Sequence, residues 1–338
     1  MKLLKISVVI FEVLAAVVIA TSASTRFYPQ PQEQKPDPGA WGSDHVGKPV
    51  PEYYGGDECL FCHRFTIGQV WQKDAHFRTV RGKYQNGRDA PEIASLKSSV
   101  ENSNELAAQV DLIMGKSQMS RFLQRDKEGT FSLLTFGLHH PQSAEPKYFD
   151  LRWAHGFVGT RFSDGCIGCH MTGVDPKTLV PFESFVGCEA CHGPHNPEHT
   201  TGTSVFMRFA KKAKETARMI ASSCGSCHLR GGKSRSTGKP YPNNFVSGDN
   251  LFRDFVFDFH KADNPRLNPI DAHIQKNIRN IVINGKEDLT CLSCHRMHPS
   301  DTLKHRRQPK IDFCYVCHQV EPFKERKKYE VHSAICEY

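Results

Sequence analysis

One five-residue phrase, Cys-x-x-Cys-His, occurs six times in a chain of 338 residues. Its copies are Cys59–Cys62–His63, Cys166–Cys169–His170, Cys188–Cys191–His192, Cys224–Cys227–His228, Cys291–Cys294–His295 and Cys314–Cys317–His318. Together they take up twelve of the thirteen cysteines. Random placement of the same cysteines and histidines would give about 0.03 copies. Any fold of this chain has to house six repeats of one local chemistry.

That chemistry is covalent attachment of c-type haem. Two thiols on one helical turn reach the two vinyl groups of the ring and form thioethers, and the following histidine turns its imidazole to the iron. A zinc ribbon needs paired Cys-x-x-Cys units and no histidine fixed at the next position. A redox dithiol would occur once, within a βαβ unit. The expected cofactors are therefore six covalently attached haem c groups, held by Cys59, Cys62, Cys166, Cys169, Cys188, Cys191, Cys224, Cys227, Cys291, Cys294, Cys314 and Cys317. Proximal ligation falls to His63, His170, His192, His228, His295 and His318.

Haem changes how the composition reads. A mean hydropathy of −0.49 with 38% hydrophobic residues is lean for a core of this size, but each ring is itself a large flat apolar body. About 53 residues are available per ring, too few to wrap each one separately, so the rings must share walls. The formal charge of +8 does not point to nucleic acid. Twelve propionates bring the ferrous protein to about −4 and the ferric protein to about +2.

The N-terminus reads as an export signal. Lys2 and Lys5 precede an apolar run from Ile6 to Ala20, interrupted by Glu12, and Thr21-Ser22-Ala23 offers small residues for cleavage. An uncleaved membrane anchor is the alternative, although fifteen residues are short for a span. Residues 1–23 are thus a signal peptide or N-terminal anchor, and the bulk of the chain is expected to be exported, periplasmic or extracellular. Residues 24–52, rich in Pro, Gln and Gly, form a linker. His45 lies in it and reads as unremarkable, with ligation as the alternative. Two lobes follow, residues 53–165 around the first haem and residues 166–338 around the other five.

Phe65 to His76 is helix-like. Residues 92–114 have a helical character. Gln118–Arg125 and Thr130–Phe136 alternate as strands around an Asp-Lys-Glu-Gly turn, which predicts a β-hairpin with a third strand at Tyr148–Trp153. Residues 204–223, with Val205, Phe206, Phe209, Ala213, Ala217 and Ile220 in helical register, predict a helix leading into Cys224. Gly231 to Asn250 reads as loop and Pro269 to Ile283 as a strong helix. The fold class that results is mainly α with extensive loops and a small β-hairpin insertion, packed around six haems.

The motif at Cys59, followed by Trp71 and His76, resembles the haem-binding unit of the tetrahaem cytochromes that take electrons from hydroxylamine oxidoreductase. That resemblance implies that His76 is a distal haem ligand. The hairpin resembles an insert in related multihaem cytochromes and is expected to wall haems. Cys191-His192-Gly193-Pro194 also resembles the family, where a histidine soon afterwards ligates a neighbouring haem. His195 and His199 compete for that part, and the family spacing fits His199 better. Cys294-His295-Arg296-Met297-His298-Pro299 resembles a family phrase whose second histidine ligates an adjacent haem, which implies His298, with His305 weaker. From position alone, His155 after Trp153, His273 on its helix (His260 competing) and the isolated His332 are further ligand candidates. His139 and His140 read as solvated loop, and Cys336 is the odd thiol.

Six proximal histidines leave twelve of the eighteen for six distal positions. A His-rich, Met-poor chain favours low-potential, six-coordinate irons. The expected function is transfer of electrons between redox protein donors and acceptors through closely packed, mostly bis-histidine haems, with no catalytic side chain. One alternative is a multihaem reductase of a small nitrogen or sulfur compound with one open haem. None of the six motifs carries the lysine seen at the active haem of pentahaem nitrite reductases. The other is a subunit of an extracellular haem wire.

Overall fold

The computed structural model describes residues 45–49, 52–115, 119–140, 145–150, 162–194, 209, 215–295 and 297–298. The expected signal segment, most of the expected linker, the last motif and the C-terminal tail lie outside these residues. So do His155, His195, His199, His305, His318, His332, Cys314, Cys317 and Cys336.

The first motif sits on helix α1 (Gly56–His63). The helix runs on through a π turn (Arg64–Gly68) into α2 (Gln69–Trp71), the helical run expected there. The chain then lays down β1 (Val80–Gly82) and a two-strand ribbon, β2 (Tyr84–Gln85) and β3 (Arg88–Asp89). Next come α3 (Pro91–Ser99), α4 (Ser103–Gln109) and β4 (Leu112–Met114). The single helical stretch read over residues 92–114 is therefore two helices and a strand. Val100 is extended (φ −147°) and breaks the helix, and the last three residues find their hydrogen bonds across to β1.

The hairpin forms as expected, as β5 (Met119–Arg125) and β6 (Phe131–His139), joined by the turn at Asp126–Thr130. With β7 (Lys147–Asp150) it belongs to an antiparallel sheet of five strands in the order β1-β4-β5-β6-β7. The β component is thus larger than a hairpin insertion. Three-residue strands such as β1 and β4 are too short to show period-two alternation in sequence. His139 closes β6, opposite Met119 and Lys147. His140 follows the strand with its Nε2 2.8 Å from Ser120 Oγ, while His139 is exposed, so the expected loop begins only after His139.

Both faces of the sheet are covered, so Phe122 and Leu123 can be adjacent in sequence and both fully buried. On one face Phe122, Ile113, Phe136 and Leu138 pack against Ile93 and Leu96 of α3 and Leu106 and Ala107 of α4. On the other, Leu123, Phe131 and Val80 pack against Phe162, Ile167, Met171 and Tyr241, with Cys166 and Cys169 at the margin. The second face is therefore a wall against the second motif.

That motif spans α5 (Phe162–Gly165) and α6 (Ile167–His170), followed by a ribbon of β8 (Thr172–Val174) and β9 (Pro181–Glu183). The third motif is α7 (Cys188–His192). The fourth closes α8 (Ala217–His228), which starts at Thr216, whose side chain accepts from Met219 N. Phe209 lies outside any helix, with φ +58°, so the helix expected from residue 204 begins only at Ala217. The other residues of that periodic run before 215 lie outside the described set.

After β10 (Lys233–Ser234), α9 (Leu251–Asp254) and β11 (Phe255–Val256) comes α10 (Pro269–Val282). Asn268 caps α10 and Pro269 stands at its first turn. Its Ile278, Ile281 and Val282 join Ala217 and Ala221 of α8 and a group of phenylalanines in a third apolar cluster. The fifth motif opens on α11 (Cys291–Cys294), where Thr290 N donates to Ser293 Oγ. Among the described residues no helix is long and apolar enough to cross a membrane.

Candidate functional site

Motifs far apart in sequence are brought together in pairs. Cys59 of the first lies beside Cys188 of the third. Cys169 of the second meets Cys227 of the fourth, and Cys224 of the fourth meets Cys291 of the fifth. The first junction is held by two carboxylates. Glu189, inside the third motif and 3% exposed, accepts from Tyr54 N and from Gly55 N at 2.7 Å. Glu183 accepts from Gly56 N at 2.6 Å. Both oxygens thus meet backbone N–H groups at the N-terminus of α1, which attracts negative charge.

The second junction is a close fit. Gly168 lies under the Tyr241 ring, where an added Cβ would stand 2.2 Å from a ring carbon. The Tyr241 hydroxyl donates to Ser163 O. Cys169 Sγ lies 3.8 Å from Ser226 O and Cys227 Sγ 3.9 Å from Gly168 O.

Two predicted distal histidines face two motif histidines. His76 and His228 have ring centres 6.1 Å apart and planes at 81°. His298 and His192 have centres 6.0 Å apart and planes at 5°. A metal ion sits about 2.0–2.1 Å from each imidazole nitrogen, so two imidazoles on opposite sides of one ion have centres about 6 Å apart. Both spacings fit an iron held between the rings.

Trp71 separates the two pairs. Its ring lies 6.2 Å from His76 at 10° and 5.7 Å from His298 at 70°. Trp71 is 4% exposed, and its indole nitrogen has no hydrogen-bond partner among the described residues. A buried donor left unpaired costs about 1–3 kcal/mol, and a haem carboxylate is the kind of acceptor that would satisfy it.

His76 is oriented from its own turn. Asp74 is fully buried and its Oδ1 lies 3.1 Å from His76 Nδ1 and accepts from His76 N at 2.8 Å. A carboxylate on Nδ1 fixes the tautomer and leaves Nε2 as the lone-pair nitrogen. Desolvation by surrounding protein atoms, with His76 nearby, pushes the His228 pKa down to about 4.

The other candidates are less constrained. His273 lies on the exposed side of α10, opposite Ile278 and Ile281, and Asn277 Nδ2 approaches its ring and its carbonyl. His260 is exposed on a 3-10 turn. Sequence reasoning passed over Asp74 and Glu189. The signal for Glu189 was a carboxylate placed inside a haem motif where solvent exposure was not available. For Asp74 it was an acid two residues before a ligand.

Comparison with known proteins agrees with this chemistry. A family model described as "Doubled CXXCH motif" matches residues 283–322, and one described as "Cytochrome c554 and c-prime" matches residues 151–193. A curated relative, "Multiheme cytochrome MtrA" of Shewanella baltica (strain OS185), is 25% identical over 194 residues, 50% of this chain and 56% of the relative. A solved structure, "Undecaheme cytochrome from S-layer of Carboxydothermus ferrireducens", has a TM-score of 0.43 and 17% identity, covering 82% of this chain and 45% of that one. The chain thus matches about half the length of each of these two proteins. Since the attachment motif is repeated along the sequence and is the subject of one matching family model, and since the other model and the relative are cytochromes, the chain is a multihaem c-type cytochrome with covalently bound haem.

Proposed function

We propose that the chain is an exported hexahaem electron carrier working between redox protein partners, with irons that are mostly closed by two histidines each. The observation that carries this reading is the facing of His76 with His228 and of His298 with His192 at the spacing of a ligated iron. Haem supplies one-electron ferric–ferrous chemistry when bound. The chain's own residues attach, close, space and insulate it.

In this reading the twelve motif cysteines anchor the rings and the six motif histidines are proximal ligands. His76 serves the fourth motif and His298 the third. The four remaining positions are to be filled from a set of candidates that includes His155, His199, His273 and His332. A second imidazole on each iron leaves no position for a substrate, which favours a carrier over a reductase. The thiol contacts order the attached groups, the first beside the third, the second beside the fourth, and the fourth beside the fifth. The fourth motif is then a junction reached from two sides. The sheet face behind Cys166 and the apolar cluster behind α8 keep water off these groups and hold the local dielectric low. Descent from the tetrahaem family linked to hydroxylamine oxidoreductase, residues 1–23 as export signal or anchor, and a periplasmic or extracellular site complete the proposal. Nucleic acid plays no part in it.

Carbon monoxide offered to the fully reduced protein tests this reading. The expected result is an unchanged visible spectrum and reversible uptake of six electrons per chain. Binding of one equivalent of carbon monoxide would overturn the closed-carrier reading and favour a reductase.

A further inference from the structure

We infer that His45 is a further axial haem ligand, serving a haem other than those on the third and fourth motifs. The inference rests on the bis-histidine reading above. His45 comes from the Pro-rich stretch before the first motif and, like His76, has a buried carboxylate on its Nδ1. Its Nδ1 lies 2.8 Å from both carboxylate oxygens of Asp249. Asp249 has a side chain 4% exposed and also accepts from Val246 N at 3.0 Å. Histidines that ligate metals commonly donate their second ring N–H to a carboxylate, which fixes the tautomer, stiffens the ring and makes the other nitrogen a stronger ligand. Here the carboxylate comes from 204 residues away in sequence, so the long-range fold, and not local chain chemistry, sets the ring.

The backbone is held as firmly as the ring. Residues 45–48 form a turn in which Lys48 N donates to His45 O at 2.9 Å. Asn244 Nδ2 donates to His45 O at 2.8 Å and to Lys48 O at 3.1 Å. Asn244 also lines a cavity with Tyr53, Cys169, Ser226 and Cys227, beside the second and fourth motifs. The turn that carries His45 is therefore fastened to the wall of the haem-bearing region. The fourth motif already has His76 and the third His298, so the imidazole falls to another iron.

The test is His45→Ala in the mature, haem-loaded protein, read by electron paramagnetic resonance of the oxidised state. The expected result is one haem equivalent of new high-spin iron, returned to low spin by added imidazole. His45→Met, which keeps a ligand of similar reach, should leave all irons low-spin and raise the potential of one haem, because a thioether favours the ferrous state. Asp249→Asn should keep low-spin coordination and raise that same potential. Unchanged spectra and potentials in the Ala and Met variants would overturn the proposal, and would assign Asp249–His45 to structure alone. If the alanine variant fails to mature, the methionine variant decides by the same criterion. High-spin iron already present in the parent protein would instead count against the closed-carrier reading, so the two failures are distinguishable.

Discussion

At the scale of single residues, buried carboxylates govern this molecule. Asp74 holds His76, and Glu189 holds the start of the first motif against the third. Asp74→Asn keeps a hydrogen-bond acceptor but removes the charge that favours ferric iron. A loss of about 1 kcal/mol of that preference corresponds to about 40 mV for one electron. Potentiometric titration should show a single haem moving upward by that order, with the rest unmoved. No movement would mean that the Asp74 contact does not reach an iron. Glu189→Ala removes the acceptor of two partly buried N–H groups and should cost about 1 kcal/mol. It should be read as a lower midpoint in chemical denaturation without a change in haem content. The ligand roles proposed for His76 and His298 were legible in the sequence only through resemblance. What was not legible is that one faces His228 and the other His192, because that depends on contacts across 152 and 106 residues of chain.

At the scale of elements, the motifs are placed by what lies behind them. The sheet supports the second motif through Leu123, Phe131 and Ile167, and α10 supports the fourth through Ile278 against α8. Ile278→Ala should therefore destabilise the protein by about 2–5 kcal/mol, measured by denaturant titration of the mature form. Gly168→Ala should be more selective. Its Cβ has to displace Tyr241, and the expected outcome is disturbance of the junction between the second and fourth motifs, seen as shifts in the signals of those haems. The hairpin and α10 were readable because seven- and nine-residue strands and a fourteen-residue helix carry enough period to be recognised. The short strands β1 and β4 were not, since three residues carry no period. Phe209 matched a helical stripe by residue type, yet its left-handed backbone places it outside the helix.

At the scale of the whole molecule, the apolar clusters among the described residues are separate, and the second motif lies at the margin of one of them. This is how a lean, charged chain can hold a large apolar cofactor load: the rings complete the interior that the side chains begin. Closure of the irons by paired histidines is the central claim of the proposed function. Low-temperature electron paramagnetic resonance of the fully oxidised protein tests it most directly. The account predicts only low-spin iron, summing to six haems, with one strongly anisotropic signal from the near-perpendicular His76–His228 pair and one ordinary rhombic signal from the near-parallel His298–His192 pair. A stoichiometric high-spin signal would contradict it, because an iron with an open position binds substrates as well as passing electrons.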